Sequence, residues 1–368
     1  MRSREAAIAA AARALGFSRA GCAPLAPLPV GPFLEAWLAE GRAAEMGYLA
    51  RRTAERVDPR TARPWARAVV SLAYPYRPPP PPPGDWRATL TGRIAAYALG
   101  EDYHARVGGL LDALAARLAT AFPGARFQGY VDTGPVLERE WAARAGLGWI
   151  GKHTLLLERA AGSYFFLAEL FTDLELEPAP RQGDHCGTCT RCHAACPTGA
   201  LGPGYTMDPR RCLSYLTIEH RSAIPVTLRG HLGNWIFGCD LCQEACPWNG
   251  DARDPAGGEA LAPHLPSLLA LDDAGFHARF AKTAVARARR RGLLRNAAVA
   301  LGNSGNPEAV PSLAAALGDR EPLVRGHAAW ALGRLGGAAA RRALETARGR
   351  ESDAGTAVEV EAALAAVS

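Results

Sequence analysis

Residues 186–197 read Cys-Gly-Thr-Cys-Thr-Arg-Cys-His-Ala-Ala-Cys-Pro, and residues 239–247 read Cys-Asp-Leu-Cys-Gln-Glu-Ala-Cys-Pro. With Cys212 between them, the two runs hold eight of the nine cysteines of this 368-residue chain. Eight thiolates is the number that two 4Fe–4S clusters need. The first run has the spacing in which the fourth cysteine serves the other cluster. Crossing the ligands that way assigns Cys186, Cys189, Cys192 and Cys246 to one cluster. The other takes Cys196, Cys212, Cys239 and Cys242. Disulfides suit small secreted domains, and this chain shows no secretory start. Zinc is the stronger rival, because CxxC pairs build tetrahedral sites and two four-cysteine zinc sites satisfy the same count. A third cysteine two residues on, followed by Cys-Pro after three, favours the cubane. Cys22 lies far from both runs and reads as a buried core thiol.

Outward from the cysteines, the composition is that of a soluble multidomain protein. Hydrophobic residues make up 48% and the net charge is +6. No apolar run reaches the roughly 18 residues of a membrane span. Ile8, Ala11, Ala12 and Leu15 share one face of a first helix and do not look like a cleavable signal. Reduced clusters and free thiolates point to the cytoplasm. Val69–Ala73, Ile94–Leu99, Phe127–Val131 and Ser163–Phe171 read as strands. Val107–Ala121 reads as a helix with Leu110, Leu111, Leu114 and Leu118 on one face, and Leu137–Ala145 as another. Pro78–Pro83 is a polyproline surface stretch. Asp132 follows an apolar strand and opens Asp-Thr-Gly-Pro, where a side chain can project into a cavity; a turn-forming aspartate is the plain alternative. Asp102-x-His104 followed by Gly108 misses a cobalamin signature by one residue, so His104 is not read as an axial ligand.

The tail has a different texture. Ala298-Val299-Ala300-Leu301-Gly302 recurs 31 residues later as Ala329-Trp330-Ala331-Leu332-Gly333, and Leu313 meets Leu344 at the same offset. Two stacked helical pairs of HEAT type with a capping helix over Ala357–Val367 account for this. Lys282, Arg287, Arg289, Arg290, Arg291 and Arg295 form a stretch without an acidic residue. Arg325 opens the next repeat. On a helical repeat such residues fit a groove that tracks phosphates; a solvated arginine-rich face is the alternative.

These segments together resemble the epoxyqueuosine reductase family. The resemblance is carried by Val131-Asp132-Thr133-Gly134, Arg144 to Trp149, Gly151-Lys152-His153, both cysteine runs, Arg211 to Thr217, Arg295-Asn296-Ala297 and Arg325 to Ala331. It implies an α+β fold with three parts. An N-terminal α/β-type cobalamin-binding catalytic domain spans 1–178, a ferredoxin-like domain with two 4Fe–4S clusters spans 179–256, and a HEAT-like, tRNA-binding repeat spans 257–368. It implies reduction of epoxyqueuosine to queuosine at the tRNA wobble position, with electrons passing from the clusters to cobalamin. Asp132 then matches the family's proton donor and also lies at the cofactor. Arg56 matches a cobalamin-contacting arginine, and Leu156, Ser214 and Thr217 lie in segments near the corrin. Burial beside the corrin is expected to raise the Asp132 pKa. Arg289, Arg290, Arg291, Arg295 and Arg325 are the expected tRNA contacts. Family members often place a cysteine near the upper cobalamin face; here that segment reads Ala95-Ala96-Tyr97, so no thiol contribution is expected. A monomer served by an external electron donor is expected. A reductive dehalogenase, or a ferredoxin fused to a scaffold, would share the clusters. The first lacks a basic repeat tail, and the second needs no Asp132 segment.

Overall fold

The computed structural model describes residues 3–81, 83–250 and 262–367. Pro82, within the polyproline stretch, and the expected boundary at 256/257 lie outside the described residues. The chain packs as two compact units. The first comprises 1–79, 101–210 and 241–258, and the second 80–100, 211–240 and 259–368.

The first unit is built on a four-stranded antiparallel sheet. Its strands are β1 (Arg19–Pro24), β2 (Ala68–Pro75), β3 (Phe127–Tyr130) and β4 (Phe165–Thr172), in the order β1-β2-β4-β3. The central strands β2 and β4 are buried along most of their length, and the polar residues that interrupt their apolar runs, Ser71 and Glu169, bond to each other at 2.6 Å. Val70, Leu72, Ala168 and Leu170 meet α1 (Arg4–Arg13) and α2 (Tyr103–Ala121) through Ile8, Val107, Leu111, Leu114 and Leu118. Val69, Ala73 and Phe171 face α3 (Glu138–Arg144) through Trp141. Each strand thus alternates sides as its pleat requires. Cys22 pairs with Val70 in the sheet, and burial pushes its thiol up to about 12, as fits a core residue. A short helix, α4 (Arg191–Ala195), carries the middle of the first cysteine run.

Asp102 caps α2 by accepting the His104 N–H at 3.0 Å. The cap sets Tyr103 and His104 in the first turn, beside the end of β3. Asp132 follows β3 with a φ of 51°, a left-handed conformation that aspartate tolerates better than most residues. Gly134 is required in that turn, because a Cβ there would lie 2.2 Å from the Tyr130 ring.

In the second unit, α5 (Leu213–Ile218) precedes a helical repeat of α6 (Arg289–Ser304), α7 (Val310–Ala316), α8 (Pro322–Leu335), α9 (Gly337–Arg348) and α10 (Ala354–Ala366). The 31-residue recurrence has a packing cause. A Cβ on Gly302 would lie 2.8 Å from the Ala331 backbone, and one on Gly333 would lie 2.8 Å from the Ala363 backbone. The same close helix crossing is therefore made twice. The expected strand Ile94–Leu99 is shorter in fact. Only Arg93–Ile94 pairs, in parallel with Trp235–Phe237, and Ala96–Ala98 turns into a 3-10 helix.

Arg295 is not a surface residue. It is fully buried on α6, and its guanidinium donates to the carbonyls of Leu216, His220 and Ser222 at 2.6–2.8 Å. Its neighbour Asn296 donates to the carbonyls of Thr217 and Ile236, both at 2.8 Å. The pair ties the α5 segment to the repeat and is withdrawn from the phosphate-binding set. An Arg295→Ala variant removes three charge-assisted hydrogen bonds, one of them to the buried Leu216 carbonyl, so we expect a loss of about 3–5 kcal/mol. It would be read as a lower thermal midpoint that Arg295→Lys does not restore, since lysine lacks the planar fork.

Candidate active site and metal centres

Around Asp132 the first unit gathers four ionisable side chains. Tyr103 donates its hydroxyl to Asp132 Oδ2 at 2.5 Å. His104 lies between two aspartates, with Nδ1 2.7 Å from Asp102 and Nε2 3.6 Å from Asp132 Oδ2. The Tyr103 ring is stacked on Phe166 with centroids 4.4 Å apart, which holds the hydroxyl in place. The Asp132 backbone N–H donates to Glu138 Oε1 at 2.6 Å, from the first turn of α3.

Electrostatics sort these groups. The protein packed behind Asp132 disfavours its charge, but His104 beside it and the hydrogen bond from Tyr103 outweigh this and hold its carboxyl below the ordinary value. In the protein alone, then, the neighbours win over burial. The nearby Asp132 carboxylate raises the His104 pKa above its ordinary 6.5. Burial, and then the Asp132 charge, push Glu138 up to about 8. At neutral pH the site therefore holds one carboxylate, one protonated carboxyl and an imidazole biased towards its cation. Tyr103, His104 and Glu138 were missed as site residues in the sequence; the one local signal was the Asp-x-His segment.

Cys186, Cys189, Cys192 and Cys246 line one cavity of about 300 Å³, together with Lys152, His153 and Trp248. These are the four residues of the first crossed quartet. Among the described residues, no three His, Cys, Asp or Glu side chains close on a single metal ion. Four cysteines around a cavity fit a cluster with its own bulk, whereas zinc needs its sulfurs drawn to one point about 2.3 Å away. Cys196 Sγ accepts the Ala200 N–H at 3.3 Å. Burial disfavours the Cys196 thiolate, but hydrogen bonds from Thr198 and Ala200 prevail and lower its pKa.

Residues 185–249 match the family model of the 4Fe-4S double cluster binding domain. Residues 56–133 match epoxyqueuosine reductase QueG, DUF1730, and residues 283–365 match HEAT repeats. The epoxyqueuosine reductase of Pseudomonas aeruginosa is 41% identical over 340 residues, covering 88% of this chain and 92% of the relative. The chain belongs to the epoxyqueuosine reductase family. A crystal structure of epoxyqueuosine reductase with a tRNA-Tyr epoxyqueuosine-modified stem loop matches with a TM-score of 0.92 and 29% identity, over 98% of each chain. The Bacillus subtilis epoxyqueuosine reductase, with its catalytic aspartate loop swung out of the active site, matches with a TM-score of 0.91 and 28% identity, over 99% of this chain and 98% of that one. Epoxyqueuosine reductases depend on cobalamin and iron–sulfur clusters, and this chain carries the double-cluster domain.

The residues expected at cobalamin divide. Arg56 is half-buried, and its Nε is enclosed without a partner while Nη2 donates to the Tyr48 carbonyl at 3.3 Å. Arg63, which no sequence signal marked, is 2% exposed and leaves Nε and Nη1 unpartnered, with its guanidinium 4.5 Å from the Tyr130 ring centre. An enclosed, unmatched donor on a half-buried arginine such as Arg56 fits a large cofactor with polar fringes, whereas Arg63 is closed in against the Tyr130 and Phe171 rings. The Leu156 side chain is instead buried in the core against Trp141. Thr217 is fully buried in the second unit, where its hydroxyl donates to the Leu213 carbonyl at 2.7 Å and accepts the Gly238 N–H at 2.9 Å. Neither side chain offers surface to a ligand. Ser214 is half-buried.

The arginines divide as well. Arg290 forms an ion pair with Asp319, and Arg325 pairs with Glu351 at 2.6 Å; both are mostly buried. Arg289 is exposed and Arg291 half-exposed. Burial, and then repulsion from Arg289, Arg287 and Arg291, lower the Arg221 pKa, against the pull of Glu219. Arg221 and Arg287 both pair with Glu219, at 3.7 and 2.8 Å, close to Arg289 and Arg291.

Proposed function

We propose that this chain reduces epoxyqueuosine to queuosine at the wobble position of tRNA, with Asp132 as the residue that hands a proton to the opening epoxide. The observation that carries this reading is the Asp132 carboxylate held between Tyr103 and His104, in a chain with a double-cluster domain. The balance is simple: an epoxide takes up two electrons and two protons, its oxygen leaves as water, and an alkene remains. When bound, cobalamin supplies low-valent cobalt for the carbon centre and the clusters supply its electrons. Arg56 is the residue proposed to hold it. Cys186, Cys189, Cys192 and Cys246 hold one cluster, and Cys196, Cys212, Cys239 and Cys242 the other.

The chain's own part is the proton. An alkoxide forming at Asp132 needs a donor, and an ionised Asp132 must first be reloaded. His104 in its cationic form is in place to do that, and Tyr103 orients the carboxylate. Glu138 holds the loop by taking the Asp132 N–H. Reconstituted protein, a one-electron reductant and tRNA bearing epoxyqueuosine should yield queuosine in the nucleoside digest. No queuosine from protein loaded with cobalamin and both clusters would overturn the reading. No helix among the described residues is long and apolar enough to cross a membrane. A monomer in the cytoplasm, fed by an external electron donor, fits an enzyme that acts on tRNA.

For tRNA, the proposed contacts are narrowed to Arg289 and Arg291. Their joint replacement by alanine should weaken stem-loop binding and reduce the slope of log K against log salt by about 0.7–0.9 per lost phosphate contact. Arg290→Ala, which removes an internal ion pair, should leave that slope unchanged. Equal slopes for the double variant and the parent would make the basic patch a solvated face.

A further inference from the structure

The cavity lined by the first cysteine quartet contains one polar side chain whose bonding is incomplete. His153 is 3% exposed, and its Nδ1 accepts the Leu155 backbone N–H at 3.2 Å. That acceptance fixes the neutral tautomer: the ring proton is on Nε2. Nε2 is buried and has no partner. A buried N–H without an acceptor costs about 1–3 kcal/mol, so such a group is kept when something absent from the protein atoms completes it. Lys152 adds to the arrangement. Its Nζ donates to the Gly187 and Cys189 carbonyls at 2.6 and 2.9 Å, placing an ammonium against the Cys186–Cys189 loop.

We propose that His153 donates its Nε2–H to a sulfur of the cluster held by Cys186, Cys189, Cys192 and Cys246, and so raises the reduction potential of that cluster. The proposal rests on the assignment of this quartet. Reduction adds negative charge that is shared by the sulfurs, and a hydrogen-bond donor to them stabilises the reduced form more than the oxidised one. The Lys152 charge acts in the same direction.

The test is an EPR-monitored redox titration of the full-length reconstituted protein. At the potential where this cluster is half reduced in the parent chain, His153→Leu should lower its reduced-to-oxidised ratio about tenfold, equivalent to 59 mV for one electron. The other cluster should not move. His153→Gln places an amide N–H near the Nε2 position and should stay within about twofold of the parent. A His153→Leu cluster that titrates like the parent overturns the proposal. Should that variant fail to load, pulsed EPR of the reduced parent chain labelled with 15N-histidine decides. A nitrogen coupling that disappears in His153→Gln supports the proposal, and its absence from the parent overturns it. Failure of the quartet reads differently: Cys189→Ala would then retain both clusters whatever His153 does.

Discussion

An Asp132→Asn variant is expected to load its cofactors and bind tRNA like the parent chain while its kcat falls about 10³-fold, the middle of the range for a lost proton donor. Asparagine suits the left-handed φ at this position and can still accept the Tyr103 hydroxyl, so the loop should keep its shape. What it cannot do is carry a proton between His104 and the substrate oxygen. The pH dependence follows from the same geometry. His104 has a raised pKa because the Asp132 carboxylate lies beside it, so the reloading proton is present below that pKa and is lost as pH rises through it. The parent's kcat should therefore fall on the alkaline side. In Asp132→Asn the partner that raises the pKa is gone, and the His104 titration followed by NMR should move to lower pH. Turnover within about twofold of the parent would remove Asp132 from the proton path.

Asp132 stood out in the sequence as an acid between an apolar strand and a Gly-Pro turn, but that pattern left a turn-forming aspartate open, and the family resemblance supplied the proton-donor role. Its partners did not stand out. Tyr103 and His104 come from the start of α2, and they reach Asp132 only because the sheet places β3 at the edge beside that helix. The sign of the Asp132 shift was unreadable for the same reason: burial can be guessed from apolar neighbours, but a hydrogen bond from a distant segment cannot. The cysteine quartet stood out because cluster ligands obey short spacings that survive without any knowledge of the fold. Arg295 shows the opposite case. α6 is buried along nearly its whole length from Gly292 to Ser304, so it has no polar face to mark. An arginine on such a helix looks like part of a basic stripe until the backbone carbonyls from α5 are seen around it.

A Cys246→Ala variant should lose one cluster, half of the iron, and all turnover, although Cys246 lies in the second run. Cys246 lines the same cavity as Cys186, Cys189 and Cys192, and Cys196 is not among the residues that do. If each run held its own cluster, Cys246 would belong with Cys212, Cys239 and Cys242. The two arrangements differ most in a double variant. With crossed ligands, Cys186→Ala and Cys246→Ala damage the same cluster, so the double variant keeps the other and retains half of the iron. With uncrossed ligands, the two changes strike different clusters and the iron is lost altogether. Iron analysis and the EPR signal of the surviving cluster separate the outcomes. Crossing also bears on stability: each cluster then closes a loop between the runs, so the folding of the cysteine segment depends on metal as that of small metal-bound domains does. Chelation of the iron should accordingly loosen both runs together, seen as faster proteolysis at residues 181–250 than in the sheet of the first unit.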